Sequence, residues 1–168
     1  SIQAGNHLSV AALENISVQG ANLQSGEDTS LYAGNNVTIE TVEMREKGGY
    51  DVGFHAESWD RTTHIGSEVQ AGGDLSIQAG QNIAIAGSNV SADGDIALDA
   101  SDTILVSSVE NTSAGKSTGD FSNKSWEGES NKVTNKIAAL TAGGSLTVRS
   151  SDGNILIKAS KLSSGVET

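Results

Sequence analysis

Cysteine and proline are both missing from these 168 residues. Without cysteine there is no disulfide framework and no thiolate metal site. No stretch approaches the run of about 18 apolar residues that a membrane-spanning helix needs. Basic residues are in the minority, 10 against 21 acidic, for a net charge of -11. Such a surface repels nucleic-acid phosphates and argues against that class of partner. It suits an extracellular surface instead. Aromatic residues are scarce, two each of Trp, Tyr and Phe, whereas Gly, Ser, Asn and Thr abound. Alone, that composition points toward disorder; the periodicity of the apolar residues overrides it. The length allows one domain or at most two.

The apolar residues fall into three slots that recur along the chain: a single position, then two apolar–polar–apolar triplets. The clearest copy reads Val69, Leu75/Ile77, Ile83/Ile85. The next is Val90, Ile96/Leu98, Ile104/Val106. Earlier copies are Ile2, Leu8/Val10, Ile16/Val18 and Leu23, Thr29/Leu31, Val37/Ile39. A fifth is Leu140, Leu146/Val148, Ile155/Ile157, and Leu162 opens a sixth. Alternation over three residues marks a strand with one buried face, and the bias toward Ile, Val and Thr agrees. Gly and Asn punctuate the runs too often for helices. One unit of 20-odd residues cannot bury its own apolar face, but a stack of such units can. The expected fold is an all-β parallel β-helix of about five coils, each ~4.8 Å thick, ~24 Å in all. The inward residues named as core are Leu8, Val10, Ile16, Val18, Leu75, Ile77, Ile83, Ile85, Ile96, Leu98, Ile104, Val106, Leu146, Val148, Ile155 and Ile157.

Stacking aligns other positions. Asn15, Asn36, Asn82 and Asn154 precede the second triplet, with Thr103 in that place in the fourth coil, and are expected to form a hydrogen-bonded ladder. Ala12, Ala33, Ala79 and Ala100 share a cramped corner. Gly5, Gly26, Gly72 and Gly94 fall at the turn before the first triplet, where positive φ is expected.

Two segments interrupt the repeat, about 40–68 and about 107–139, leaving one β-helix segment over 1–168 with two extra-helical insertions. Phe54 recurs as Phe121 and Ser58-Trp59 as Ser125-Trp126, so the larger unit is two coils plus an insertion with a spacing of 67 residues. Each insertion is expected to leave its coil after the second triplet and form an arm, with its Phe and Trp packed on the outer wall of the coils. Phe54, Trp59, Phe121 and Trp126 are the candidate contact surface; anchoring of the arms is the competing and favoured role for the tryptophans.

The phrases Ala71–Val90 and Ala142–Val148 resemble the haemagglutinin repeats of filamentous-haemagglutinin-like exoproteins. The resemblance spans essentially the whole chain. It implies a right-handed helix, in line with the crossover preference of parallel strands. It also implies export through an outer-membrane two-partner secretion transporter and display on the surface of a Gram-negative bacterium. The family includes adhesins and contact-dependent growth inhibition effectors, so a host-cell or target-cell receptor or glycan is the implied partner. Because Ser1–Gly5 repeats the letters of Ser76–Gly80, the chain reads as a slice of something longer. Val109-Glu-Asn-Thr112 comes near the motif that precedes the toxin in such effectors, but more repeat follows it and the match is taken as chance.

Chemistry is sparse. A metal site needs converging ligands; His55 and His64 share an insertion, but Ser122 replaces His55 in the second, and both read as solvated residues of the arm. Asp28, Asp74 and Asp95 share a slot with His7 and Ser145 and read as turn formers rather than calcium ligands. A polysaccharide-active β-helix needs carboxylates clustered with a basic group. Arg45 and Arg61 lie in an insertion, Arg149 points outward, and Asp99 and Asp102 have no basic neighbour in the repeat. No cofactor and no catalytic residue is expected. The reading is a structural stalk segment, with glycan or membrane contact through the insertions as the alternative.

Overall fold

The structure, a computed structural model, describes residues 1–165. Among them there are twenty strands and no helix. The first coil is β1 (Ile2–Ala4), β2 (Leu8–Ala12) and β3 (Ile16–Gln19). The second is β4 (Asn22–Ser25), β5 (Thr29–Ala33) and β6 (Val37–Glu40). A hairpin follows, β7 (Val42–Asp51) and β8 (His55–Ile65). Coil three is β9 (Glu68–Ala71), β10 (Leu75–Ala79) and β11 (Ile83–Ala86); coil four is β12 (Asn89–Ala92), β13 (Ile96–Ala100) and β14 (Ile104–Ser107). A second hairpin, β15 (Val109–Phe121) and β16 (Lys124–Lys136), precedes coil five: β17 (Ala139–Ala142), β18 (Leu146–Ser150) and β19 (Ile155–Lys158). β20 (Lys161–Ser164) begins a sixth turn.

The coils stack into three parallel sheets, one per slot, in the order of the coils. The fold is a parallel β-helix. Register is carried without slippage: Ile77 lies opposite Leu31 and Leu98, and Ile85 opposite Ile39 and Val106. A shift of one residue would turn every apolar side chain outward, so the buried slots fix the pairing. Ile77, Leu98, Ile83, Ile85, Ile96, Ile104 and Val106 are almost wholly buried, as are Leu75, Leu31 and Ile39. Each such side chain contributes roughly 1.5–3 kcal/mol of gross burial energy. Ile16 and Val18 are buried; Leu8, Val10, Leu146 and Val148 are only partly so and pack against the cluster. Ile155 and Ile157 depart from expectation: they are 44% and 47% exposed. Both sit in register with Ile104 and Val106, on β19, which has a paired strand on one side only; Ile16 and Val18 on β3, the other outermost strand of that sheet, are buried.

Polar ladders run up the corners. Asn36 Nδ2 donates to Asn15 Oδ1 at 2.9 Å, and Asn82 Nδ2 to Asn36 Oδ1 at 2.9 Å. Thr103 then donates its backbone N–H to Asn82 Oδ1 at 3.1 Å. A threonine cannot pass the amide pattern on, and Asn154 enters through its backbone, accepting from the Ile104 N–H at 2.9 Å. The aspartates make a second ladder. Asp28 Oδ1 accepts the Asp74 N–H, Asp74 Oδ1 the Asp95 N–H, and Asp95 Oδ1 the Ser145 N–H, at 2.9, 2.8 and 2.7 Å. Each carboxylate thus satisfies a turn donor one coil on. At Gly94, a Cβ would overlap Asp74 Oδ1, so glycine before the aspartate is the space its neighbour's carboxylate occupies.

The expectation of positive φ at Gly5, Gly26, Gly72 and Gly94 is corrected. Among glycines of the described residues, φ is positive at Gly20, Gly53 and Gly87. At Gly26 and Gly72 the need is steric: a Cβ would strike the Gly5 and Gly26 carbonyls. The left-handed corner lies instead two residues past the second triplet, at Gly20, Gly87 and Ala159, with φ of 53°, 54° and 46°. Thr41 and Ser108 hold that slot in coils two and four, where the chain departs into a hairpin, and they lack the left-handed turn.

The chain divides into two compact units: the coils, 1–42, 66–108 and 137–168, and the paired insertions, 43–65 and 109–136. The insertions expected at about 40–68 and 107–139 therefore make a unit together rather than two separate arms.

Candidate functional site

The insertion unit is one four-stranded sheet in the order β16-β15-β8-β7. Its two turns differ. Between β7 and β8, Asp51 Oδ1 accepts the Gly53 N–H at 2.7 Å, Gly53 has φ of 85°, and the Val52 N–H reaches His55 O at 2.9 Å. Between β15 and β16, Ser122 and Asn123 have φ of 47° and 70°, the two-residue turn whose twist suits a hairpin. The hairpins join through β8 and β15, from Thr62 opposite Thr112 to His55 opposite Gly119. The Asp120 N–H donates to Phe54 O at 2.9 Å, closing the tips together.

Residues directly opposite share a face, as do residues two apart along a strand. Gly119 lies opposite His55 on one side and Trp126 on the other. Gly115 lies opposite Trp59. His55, Trp59 and Trp126 are therefore on one face. A Cβ at Gly119 would overlap the Trp126 indole, and one at Gly48 would overlap the Trp59 indole. Each ring thus lies on a glycine floor, covering backbone that has no side chain of its own. The Trp126 and His55 rings are 5.4 Å apart, and Tyr50 is 5.6 Å from His55. This is an aromatic row across the tip of the sheet.

These rings remain accessible. Trp59 and Trp126 are 39% and 51% exposed, Phe54 and Phe121 63% and 77%. The expected packing of Phe and Trp on the outer wall of the coils is corrected: the tryptophans pack on glycines of their own sheet, and the phenylalanines sit at the hairpin tips. A shallow cleft of about 520 Å³ lies at this end of the sheet, lined by Phe54, His55 and Trp126 and by Asp51, Asp120 and Glu127; Asp120 and Glu127 alternate with Gly119 and Trp126 along their strands, so their side chains belong to the opposite face. No Lys or Arg contributes to its lining.

Charged pairs occupy the opposite face. Arg45 grips Asp60 with two hydrogen bonds, Nε to Oδ1 at 3.2 Å and Nη2 to Oδ2 at 2.9 Å. Lys47 adds a contact to Asp60 Oδ2 at 2.9 Å. Hydrogen bonds from Arg45 and then Lys47 hold the Asp60 carboxyl down at about 2. Lys116 pairs with Glu127, with Glu129 at 3.9 Å, and the Glu127 hydrogen bond raises its pKa. The histidines do not converge. His55 Nε2 meets Glu57 at 3.1 Å, while His64 Nδ1 meets Asn111 at 3.1 Å and His64 Nε2 lies 3.8 Å from Glu43. His7 pairs with Glu27 at 2.8 Å. Among the described residues no group of three or more His, Cys, Asp or Glu could hold a metal ion.

The Hemagglutinin repeat family matches residues 1–51 and 48–128. The chain belongs to that family. The match covers coils one to four and both strands of the first hairpin, and it reaches into the second. The haemagglutinin repeat is thus both the coil and the interruption. No protein of described function and no solved structure matched the chain. The pairing of the two insertions lay beyond the sequence reading. Its one visible signal was the glycines at 48 and 119, over which the tryptophan rings lie.

Proposed function

We propose that this haemagglutinin-repeat chain is a non-catalytic segment of a secreted, surface-displayed adhesin-like exoprotein of a Gram-negative bacterium. The family match is the observation that carries it, supported by coils whose every strand continues the sheet of the coil before. Such a segment gives length and a scaffold. Its export partner is an outer-membrane two-partner secretion transporter. The test is to fuse the chain behind the export domain of such a system and measure display by antibody, with and without the transporter. Transporter-dependent display on intact cells supports the reading. Retention in the periplasm with the transporter present overturns it.

A second role rests on the insertion sheet: contact with an uncharged glycan on a host or target cell. Exposed indoles backed by glycine offer one free face each for stacking. The net charge of -11 disfavours anionic sugars. Binding of neutral glycans on an array, lost in both Trp126→Ala and Trp59→Ala while the fold persists, supports this role. Preference for sulfated or sialylated glycans counts against it.

A further inference from the structure

Gly48, Gly115, Gly119 and Gly128 share the indole-bearing face of the insertion sheet, and the rings account for two of them. A Cβ at Gly48 or Gly119 would overlap an indole. A Cβ at Gly115 would meet nothing nearer than Ser58 O at 3.9 Å, and one at Gly128 would reach Ser117 Oγ at 3.1 Å and the Trp126 ring at 3.9 Å. Neither Gly115 nor Gly128 has a positive φ. Glycine inside a strand costs backbone entropy and forgoes cross-strand packing. Nothing in the fold of the sheet requires it at Gly115. Strand glycines of this kind commonly mark a place where a ligand approaches the backbone.

The two glycines open a shallow trough. Gly115 lies opposite Ser130 and Gly128 opposite Ser117, so four small residues meet on β15 and β16. On β8, Trp59 lies opposite Gly115 and Glu57 opposite Ser117. These six residues line a depression of about 350 Å³. Lys116 borders it too, but alternates onto the other face, where it pairs with Glu127. Glu57 is held from its own face: His55 Nε2 lies 3.1 Å from its Oε1. Desolvation, and then the Glu57 carboxylate, push the Tyr50 phenol above its ordinary value. The Glu57 side chain is 44% exposed, so its carboxylate still faces solvent as an acceptor. Trp59 and Trp126 stand at opposite corners, two strands across and four residues along, about 16 Å between their Cα atoms.

We propose that this trough binds a linear, uncharged oligosaccharide, with one sugar ring stacked on Trp59, another on Trp126, and the sugars between them passing over Ser117. Gly115 and Gly128 flank that path on one side, and Glu57 flanks it on the other, where it accepts hydrogen bonds from hydroxyls. The proposal rests on the reading of the insertion sheet as a contact surface for neutral glycans, and adds the length of chain that the surface takes. A single sugar covers one indole; the ~16 Å between them is the span of about three or four linked rings. The floor is hydroxyl and backbone rather than aliphatic, which suits a polyol and not a lipid chain. Between the indoles this face carries no lysine or arginine among the described residues, so an acidic sugar would meet only Glu57.

The test is a tryptophan-fluorescence titration of the full chain with unmodified gluco-, manno- and galacto-oligosaccharides, from monosaccharide to hexasaccharide. Affinity is expected to rise steeply up to the length that reaches both indoles and then to level off. Gly115→Thr fills the trough with a residue that suits a strand. It is expected to weaken the longer chains by about tenfold or more while keeping or raising the thermal midpoint. Glu57→Gln keeps the size of the side chain and removes its charge, and is expected to weaken them by about fivefold. Neutral chains that bind with one affinity at every length overturn the proposal and leave glycan contact standing. So does a Gly115→Thr protein that binds the longer chains as well as wild type. A fall in its thermal midpoint also overturns the proposal, because glycine would then serve the fold. If no neutral chain of any length binds, the contact role fails together with it.

Discussion

The two units are built from strands of one repeat, yet they are held together in opposite ways. In the coils each strand pairs in parallel with a near-copy of itself, and the shared interior is filled by buried apolar side chains, with Ile77, Leu31 and Leu98 in one column. In the insertion sheet the strands are antiparallel and almost nothing is buried; Gly119 alone is buried on β15. Its order comes from ladder hydrogen bonds, two tight turns, rings on glycine floors and ion pairs across strands. Length separates them further: the insertion strands run 10–13 residues against 3–5 in the coils. The coils acquire stability by burial, and the sheet by cross-strand pairing.

Burial is the larger quantity, so the widest gap between the units should appear on truncating an inward residue. Leu98→Ala opens a cavity between Ile77 and Val148 and is expected to cost about 2–5 kcal/mol. Val133→Ala, at a 61% exposed site on β16, should stay within about 0.5 kcal/mol. Urea unfolding of both variants checks this. Equal losses would mean that the insertion sheet has a core that its exposure pattern denies.

Next in size are the polar ladders. Asn36 both donates to Asn15 and accepts from Asn82. Asn36→Ala leaves the Asn82 backbone N–H and side-chain Nδ2 without their acceptor, while Asn15 Oδ1 keeps the Asn36 N–H, and should cost about 1–2 kcal/mol. Asn154→Ala, whose contribution runs through its backbone carbonyl, should be nearly silent by the same urea assay. Similar losses at both sites would show that the ladder continues past Thr103.

The corner past the second triplet distinguishes a coil that closes from one that departs. Ala159 occupies the left-handed conformation that glycine fills at positions 20 and 87. An L-residue there bears roughly 1–2 kcal/mol of strain. Ala159→Gly should therefore raise stability by about 1 kcal/mol, since part of the gain is lost to the freer unfolded chain. A fall in thermal midpoint would refute it.

Much of the coil unit was legible because one slot means one environment. Leu75, Ile83 and Ile96 recur at positions that stacking forces inward, and Asn15, Asn36 and Asn82 at one that stacking forces together. The slots do not show how well each copy is covered: Ile155 and Ile157 carry the same letters on an outermost strand and are about half exposed. Nor do they show why a glycine is present: Gly26 and Gly72 sit in turns, but carbonyl crowding demands them, not φ. The insertion sheet was less legible still. Thr62 pairs with Thr112 and His55 with Gly119 across 50 or more residues, through hydrogen bonds that leave no periodic trace. Trp59 and Trp126 announced a shared structural need, and the need was a glycine beneath each ring.

The smallest effect belongs to the charged face, and it tests the claim that the insertion sheet depends on exposed pairing. Asp60 titrates at about 2 rather than 3.8 because Arg45 and Lys47 hydrogen-bond its charged form. A depressed carboxyl contributes stability above its unfolded value and loses it as pH falls. The contribution is whole above the ordinary carboxylate range and fades between pH 3.8 and about 2. Exposure and salt screening keep it small. Carboxyl chemical shifts followed by acid titration should place the Asp60 midpoint near 2 and return it toward 3.8 in Arg45→Ala, with Lys47 holding part of the shift. The buried columns of the coils hold no titrating group and should keep their amide protection through the same window. If Asp60 titrates at its ordinary value in the wild type, the Arg45 fork is not formed in solution, and the insertion sheet must rest on its backbone ladder and indoles alone.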